Sequence, residues 1–377
     1  MKINKWKNFL GVLLVFLAAF KYYSVIFDYA NLNKYCMLLS LLLSTLLILI
    51  NYKKYNLIHL GFFVILSIQF VMSKNITLLY SYYLCLGLFA LDFRYLIKWF
   101  VIFNAVFFSI FLITNLIGIN PTEYIEGRND FGFGNPNAAF ISMFMLWSSF
   151  FYLIYDSKKN IDFILMLLMV ALIYSQTVTR TGLLTAVGTI FAYIILKNID
   201  IQKKVYKILI GVFPLFMTFL SLIIALFMSN NYLINKILSH RPVYWRTYLM
   251  HPTKGVNLFG YVSNIREILF TQRMPLDSGY IWSLYSQGLV VFVMLIVFYS
   301  FTMYILCKEN KKAEILFMTS VLIYCFAESI MLEVSTNMSL VLVVYGIYRM
   351  NKFNIWEALE DRILKKRKSK AIDKVDR

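Results

Sequence analysis

The chain contains few charged residues for its length. Asp, Glu, Lys and Arg make up only 15% of the 377 residues, whereas 60% are hydrophobic. The hydrophobic residues recur in runs long enough to cross a bilayer, which excludes an ordinary soluble enzyme and a disordered protein. The formal net charge of +18 would suit a nucleic-acid-binding domain, but the basic residues lie between the apolar runs, where membrane topology accounts for them. The composition therefore predicts a polytopic membrane protein with no nucleic-acid partner.

Residues that bind metals or form disulfides are also scarce. The four cysteines have no CxxC spacing and lie in or beside apolar runs, so we expect structural thiols. Three histidines are too few for a His-rich metal site, and the sequence has no Asp-x-Asp motif to hold a metal ion. We therefore expect neither a metal site nor a cofactor.

Twelve apolar stretches predict an all-α protein with about 12 transmembrane helices. A helix needs about 20 apolar residues to cross a bilayer, and runs this long satisfy their backbone in lipid as helices. The stretches are 9–27, 35–50, 57–73, 76–91, 98–119, 137–155, 162–178, 182–196, 208–228, 278–306, 313–333 and 335–350. The N-terminal lysines before the first stretch resemble a signal peptide, but more spans follow, so we expect a retained first span.

The distribution of Lys and Arg predicts that both termini are cytoplasmic. With the N-terminus inside, the cytoplasmic segments contain 26 of the 37 basic residues. The chain then divides into spans one to nine with an outer loop at 120–137 (1–228), a long extracytoplasmic loop (229–277), spans ten to twelve (278–350) and a basic cytoplasmic tail (351–377). We expect the basic tail to bind anionic membrane lipid.

Arginine is concentrated on the predicted outer side. Six of the ten basic residues there are Arg, against five of the 26 inside; the six are Arg128, Arg180, Arg241, Arg246, Arg266 and Arg273. Topology requires only positive charge, whereas the planar guanidinium matches phosphate and carboxylate groups and does not deprotonate. The pattern indicates an outer site for an anionic ligand. The alternative is scatter among few residues, combined with binding to lipid headgroups.

Two predicted outer segments depart from the pattern of spans joined by short loops. Residues 120–137 are rich in Gly, Pro, Asn and acidic residues, which favours turns folded back onto the membrane surface. Residues 229–277 form a 49-residue loop with a net charge of +4. In this loop, helical spacing of aromatic residues predicts two short amphipathic helices separated at Pro242, with their aromatic face in lipid and Arg241 and Arg246 at headgroup level. The alternative is a simple surface anchor.

Arg180 is the most informative single residue in the predicted membrane region. It lies at a tight turn between spans seven and eight, among Gln and Thr side chains. An Arg at such a place either reaches the lipid headgroups or faces a polar cavity, and the polar neighbours favour the cavity. Glu328 and Glu333, near the outer end of span eleven, either face the same cavity or cap their helix.

Four of these segments together resemble a known family. They are GRNDFGFGNPNAAF in the first outer loop, TRTGLL at the start of span eight, RPVYWRTYL in the long loop and DSGYIWSLYSQGLV leading into span ten. Their order and topology resemble the Wzy-type polysaccharide polymerases, in the superfamily that includes the O-antigen ligases. The resemblance implies a GT-C-like, metal-independent glycosyltransferase that joins undecaprenyl-diphosphate-linked oligosaccharides at the outer face of a bacterial cytoplasmic membrane. It also implies a chain-length regulator and a flippase of the same pathway as partners.

The expected reaction assigns roles to the outer charged residues. A diphosphate leaving group must be stabilised while a sugar hydroxyl loses its proton. We expect Arg128, Arg180 and Arg241 to clamp the diphosphate, with Arg246 next. Candidates for the base are Asp277, Glu126 and His251, in that order. Related ligases tend to carry a His where the chain re-enters the membrane after the long loop, but here this segment reads PLDSGY, so the identity of the base stays open.

Two alternative functions remain open from the sequence. An O-antigen ligase would pass a finished chain to another acceptor, and the missing re-entry His favours the polymerase. A lipid-linked oligosaccharide flippase would have a similar size and charge. Such transporters tend to show two repeated halves and charges in the middle of their spans, and here only Lys21 is such a charge. A receptor or sensor is disfavoured because the tail is only a short charged segment.

Overall fold

The computed structural model describes residues 2–26, 30–125, 127–157, 159–269 and 274–350, and its fold is all-α. A single antiparallel pair of two-residue strands interrupts the helices in the described part of the chain. The helices are α1 (Lys2–Ile26), α2 (Ala30–Ile50), α3 (Leu57–Ser73), α4 (Thr77–Leu88), α5 (Phe93–Leu116), α6 (Pro136–Ile154), α7 (Asn160–Thr177), α8 (Arg180–Asn198), α9 (Lys204–Phe227), α10 (Tyr232–Ile237), α11 (Arg241–Leu249), α12 (Ile265–Leu269), α13 (Gly279–Lys308), α14 (Lys312–Tyr324) and α15 (Ser339–Met350).

The apolar helices match an all-α membrane protein. A helix lies over each of the twelve predicted stretches, and six of the described helices are long and apolar enough to cross a membrane. The largest difference concerns the eleventh stretch, 313–333, which is helical only as far as Tyr324. Residues 325–338 then run as irregular backbone until α15 begins at Ser339. The polar residues Asn337 and Ser339 explain the late start, since the Asn337 side chain accepts the Ser339 N–H at 3.1 Å.

Four helices form the centre of the bundle and the others surround it. α4, α13, α14 and α15 have mostly buried side chains. α13 packs against α9, α15, α14 and α11, while α14 also packs against α6 and α8. Large apolar side chains on α2, α3, α7, α8 and α9 instead point outward and are exposed. An exposed apolar surface of this extent fits contact with lipid, because a protein in water would bury it.

α13 is broken at Gly288, where the long loop inserts. Gly288 has φ +82° and ψ 168°, which ends regular helix within the span. Gly260 of the long loop, also at positive φ, packs directly against this break. Hydrogen bonds join the two: Tyr261 N–H donates to Ser286 O at 3.0 Å, and Leu289 N–H donates to Asn257 O at 2.9 Å. Backbone groups freed by the break are thus paired inside the protein, as irregular backbone at membrane depth requires.

The first outer loop folds back on the bundle through a short hairpin. β1 (Tyr124–Ile125) pairs with β2 (Arg128–Asn129) in antiparallel register. Phe133 of this loop is buried and stacks on Phe111 of α5 with ring centroids 4.0 Å apart. This contact holds the loop over α5. The fold of the loop onto the membrane surface stays a prediction.

The connecting segments gather at two opposite cavities. One, which we call the arginine cavity, is lined by parts of 127–137, 178–181, 239–244 and 275–277. The other, of about 510 Å³, is lined by Lys54 and by parts of 89–94, 152–156 and 311–314 and α15. These two sets are the segments that the charge distribution assigns to opposite sides of the membrane.

We predict that Gly288→Ala destabilises the protein by at least about 2 kcal/mol. A Cβ at this residue would lie 2.4 Å from Gly260 N and Leu258 O, and the positive φ would be strained. The measurement is thermal unfolding of the purified protein in detergent.

The matched control is Gly61→Ala on α3, where an added Cβ meets nothing within 4 Å. This variant should unfold at or slightly above the wild-type temperature, because Ala favours helix over Gly. Equal unfolding temperatures for the two variants would show that the loop does not depend on the break in α13.

Candidate functional site

Four of the predicted site residues line one cavity. The arginine cavity has a volume of about 620 Å³ and contains Arg128, Arg180, Arg241 and Asp277 in its wall. These residues come from four separate segments: the hairpin, the start of α8, the start of α11 and the segment before α13. The remaining lining residues are Gly127, Asn137, Val178, Thr179, Thr181, Ser239, Tyr244 and Pro275. The fold therefore brings together residues separated by up to about 150 positions in sequence.

Arg128 is positioned by the turn structure of the first outer loop. Gly127, with φ +75°, precedes it in the hairpin. The buried Asp130 carboxylate accepts hydrogen bonds from the N–H groups of Glu123 at 2.8 Å and Gly132 at 2.9 Å. These bonds fix the loop on both sides of β2, and so place the Arg128 side chain at the cavity.

Arg180 is the first residue of α8 and faces the cavity as expected. The turn before it includes Val178 at φ +46° and the buried Thr179. The Arg180 side chain is exposed to the cavity, where its Nη1 donates one long hydrogen bond of 3.4 Å to the carbonyl of Lys236. Most of its guanidinium donors therefore have no hydrogen-bond partner among residues 127–157, 159–269 and 274–350 and can bind an anion in the cavity.

The guanidinium of Arg241 forms ion pairs with two carboxylates. Its Nη2 lies 2.9 Å from Glu328 Oε1 and 3.5 Å from Asp277 Oδ2, and its Nη1 donates to the carbonyl of Ala327. The side chains of Arg241 and Glu328 are 8% and 4% exposed, so this pair is shielded from water. Burial lowers the pKa of Arg241, but Glu328 and Asp277 outweigh this effect and hold the pKa above its ordinary value. Arg241 thus orients Asp277 as well as contributing charge to the cavity.

The predicted placement of the aromatic helix face in lipid was wrong. The two short helices of the long loop exist, with Pro242 at the start of α11. However, Trp245 and Tyr248 are fully buried, with Trp245 against Phe326 and Tyr248 against Tyr285. The physical reason is the irregular segment 325–338 and the broken helix α13, which leave apolar protein surface for α11 to cover. For the same reason Arg241 is buried among protein groups instead of contacting lipid headgroups.

Two predicted site residues, Arg246 and His251, lie outside the wall of this cavity. Arg246 is exposed and donates to Ser229 Oγ at 3.2 Å. The His251 ring accepts the N–H of Lys254 at 3.1 Å, within its own turn. Another predicted base, Glu126, falls outside the described residues.

Glu328 has a clearer role than the sequence indicated. The sequence left open whether Glu328 faces the cavity or caps its helix. In the structure Glu328 forms an ion pair with Arg241, which lines the cavity, so Glu328 lies directly behind the cavity wall. The signal was an acidic residue inside an apolar stretch, which calls for a buried partner. No group of three or more His, Cys, Asp or Glu side chains that could hold a metal ion is found among the described residues.

We predict that Arg241→Ala lowers the free energy of unfolding by about 3–5 kcal/mol, because it leaves Glu328 buried without a cation. Glu328→Ala should cost less, since Arg241 keeps Asp277 and the Ala327 carbonyl. Denaturant unfolding in detergent measures both.

The matched control is Arg246→Ala in the same helix, whose exposed side chain should contribute no more than about 0.5 kcal/mol. If Arg241→Ala is as stable as Arg246→Ala, the buried ion pair does not support the fold.

The groups in the arginine cavity are the structural feature that indicates a function. No model of a known protein family, no curated protein and no solved structure matches the chain. What the cavity offers is an open guanidinium from Arg180, a second arginine at Arg128, and a carboxylate, Asp277, held by Arg241. This set can bind an anion and accept a proton within one space.

Proposed function

We propose that the protein is a Wzy-type polymerase that joins lipid-linked oligosaccharide repeat units into a surface polysaccharide. The observation that carries the proposal is the convergence of Arg128, Arg180, Arg241 and Asp277 on one cavity. These residues come from the four segments that resemble the family in sequence. A cavity with this composition suits a substrate that has both a diphosphate and a reacting hydroxyl.

The proposed topology has 12 spans in a GT-C-like arrangement, with both termini in the cytoplasm. Its support is that a helix lies over each of the twelve predicted stretches, that six of these helices are long and apolar enough to cross a membrane, and that the loops group at two cavities. The Lys-rich loops lie at the end of the bundle with the 510 Å³ cavity; examples are the loops with Lys53 and Lys54 and with Lys311 and Lys312. The positive-inside rule assigns this end to the cytoplasm. The arginine cavity then opens on the outer face of a bacterial cytoplasmic membrane, where flipped lipid-linked sugars are located.

In the proposed reaction, arginines stabilise the leaving group. An acceptor hydroxyl attacks the anomeric carbon of the donor, and the bond from that carbon to the diphosphate oxygen breaks with its electron pair on the diphosphate. Arg180 and Arg128 bind the developing charge. One preorganised donor contributes roughly 2.7–4 kcal/mol in comparable sites. Arg241 contributes less directly, because its guanidinium is already shared between Glu328 and Asp277.

Asp277 is the proposed base. Its side chain is 21% exposed and lies in the cavity wall, so an acceptor hydroxyl can reach it. The hydroxyl proton passes to its carboxylate as the new glycosidic bond forms, and then to water. The contact with Arg241 fixes the orientation of this carboxylate.

The proposal predicts the phenotype of a strain without the gene. Long polysaccharide chains should vanish while single repeat units still reach the outer surface, as seen on gels of extracted surface and lipid-linked glycan. Arg180→Lys should give the same pattern, because it keeps the charge but loses the planar pair of donors. Arg246→Lys is the matched control and should give normal chain length.

Other patterns in this experiment identify other functions. Repeat units trapped on the inner leaflet would indicate a flippase. Finished chains that accumulate on the lipid carrier would indicate a ligase. Normal chain length with Arg180→Lys would remove Arg180 from the site.

The choice of base gives a separate prediction. Asp277→Asn keeps the size of the side chain but cannot take up a proton, so it should reduce the rate of polymerisation by about a hundredfold or more in membrane vesicles supplied with lipid-linked repeat units. His251→Asn should polymerise at nearly the wild-type rate, because His251 lies outside the cavity wall. The reverse result would make His251 the base.

A further inference from the structure

Arg266 lies outside the wall of the arginine cavity, as the structure describes that wall, and forms a separate cationic group. It lies in α12 and its guanidinium carbon is 3.9 Å from the ring centroid of Trp282, in the first turns of α13. The stack fixes the plane of the guanidinium, so its orientation does not depend on a ligand.

The charge of Arg266 has no close partner in the described part of the chain. No carboxylate there lies within 4.0 Å of its nitrogens, and its Nε is buried without a hydrogen-bond partner. Burial lowers its pKa, and the nearest compensating charges, Asp277 first, act from a greater distance. The residue as a whole is only partly buried, and of its three side-chain nitrogens only Nε is both enclosed and without a hydrogen-bond partner in that part of the chain.

This arrangement differs from that of Arg241. Removing a guanidinium from water costs free energy unless an anion pairs with it. Arg241 has Glu328 and Asp277 at 2.9 and 3.5 Å, whereas Arg266 is stacked, desolvated and unpaired among the described residues. Such a group is preorganised for an anion that is not part of the protein.

Asp277 links Arg266 to the proposed reaction. It is the ion-pair partner of Arg241 in the cavity wall, and it lies just before α13, whose first turn carries Trp282, on which Arg266 stacks. The start of α13 thus connects the proposed base to the guanidinium of Arg266. A planar guanidinium beside the reacting sugar matches an acidic substituent on that sugar.

We propose that Arg266, stacked on Trp282, forms an anion subsite that takes the carboxylate or phosphate of an acidic sugar bound beside Asp277. The substrate class is thus a repeat unit with an acidic sugar next to the new linkage. The anion subsite follows from the geometry of Arg266 alone, whereas its assignment to a sugar rests on the proposed polymerase function.

The test measures the binding of inorganic phosphate, by ³¹P NMR, to the full-length protein in phosphatidylcholine nanodiscs. An Arg180→Gln background weakens binding in the arginine cavity. In this background, Arg266→Met should weaken the phosphate affinity roughly tenfold or more, as expected for the loss of a charged hydrogen-bond donor. Lys236→Gln, which removes an exposed cation of the same loop, should leave it unchanged. Equal affinity with Arg266→Met overturns the subsite.

Stability separates a ligand role from a structural role. Met fills the space of the Arg266 side chain without its charge, so Arg266→Met should unfold at or above the wild-type temperature. Loss of the folded protein would overturn the proposal, because it would show that the guanidinium serves the fold. Arg266→Lys keeps the charge and loses the planar stack, and its phosphate affinity should fall between those of wild type and Arg266→Met.

Two competition measurements identify the source of the anion. Glucuronate should compete with phosphate at the Arg266 site, whereas glucose should not. Phosphatidylglycerol in the nanodisc should not displace phosphate; if it does, the site binds lipid headgroups and the sugar assignment is overturned. Because phosphate binding does not require polymerisation, normal polymer in the gene-deletion strain would contradict the proposed function without changing the result for the subsite.

Discussion

The ion pair between Arg241 and Glu328 joins the parts of the protein that form the site. Arg241 belongs to the long loop, Glu328 to the irregular segment after α14, and Asp277 to the segment before α13. Because a buried guanidinium is costly without an anion, these three segments must assemble together or not at all. The same contact that stabilises the assembly also turns Asp277 toward the cavity. Structural and chemical requirements are therefore met by one group of charges.

Irregular backbone inside the bundle is the second constraint. The break at Gly288 and the segment 325–338 both expose peptide groups that lipid cannot satisfy. At the break, the long loop inserts at Gly260 and pairs with the exposed peptide groups. Beside segment 325–338, the aromatic residues of α11 cover the apolar surface. The aromatic residues of a loop that the sequence predicted to lie in the membrane interface are thus part of the core. This explains why 49 residues are kept where a short connection would suffice.

The sequence predicts the helices well and the interior placement of the loop poorly. Runs of apolar residues identify every long helix, because lipid allows few other structures. The concentration of Arg on one side predicted the cavity residues Arg128, Arg180 and Arg241. The burial of Trp245 could not be read from the sequence, since an amphipathic helix looks the same whether its apolar face meets lipid or protein. Arg246 is an arginine of the same helix as Arg241. The two differ in that Arg241 lies beside Glu328, whereas Arg246 does not, and the sequence does not give that position.

The partners of their side chains distinguish Arg180, Arg241 and Arg266, which share one residue type. Arg241 has carboxylates, so an added anion must compete with them for its donors. Arg180 lies in an open cavity, where the described residues give its side chain one long hydrogen bond, so its guanidinium is open to an anion. Arg266 is stacked on Trp282 and has no carboxylate within 4.0 Å among the described residues, so its guanidinium is oriented without an ion pair there. Under the proposed function, the different burial and pairing of these three guanidinium groups assigns Arg180 to the leaving group, Arg241 to the base and Arg266 to the sugar.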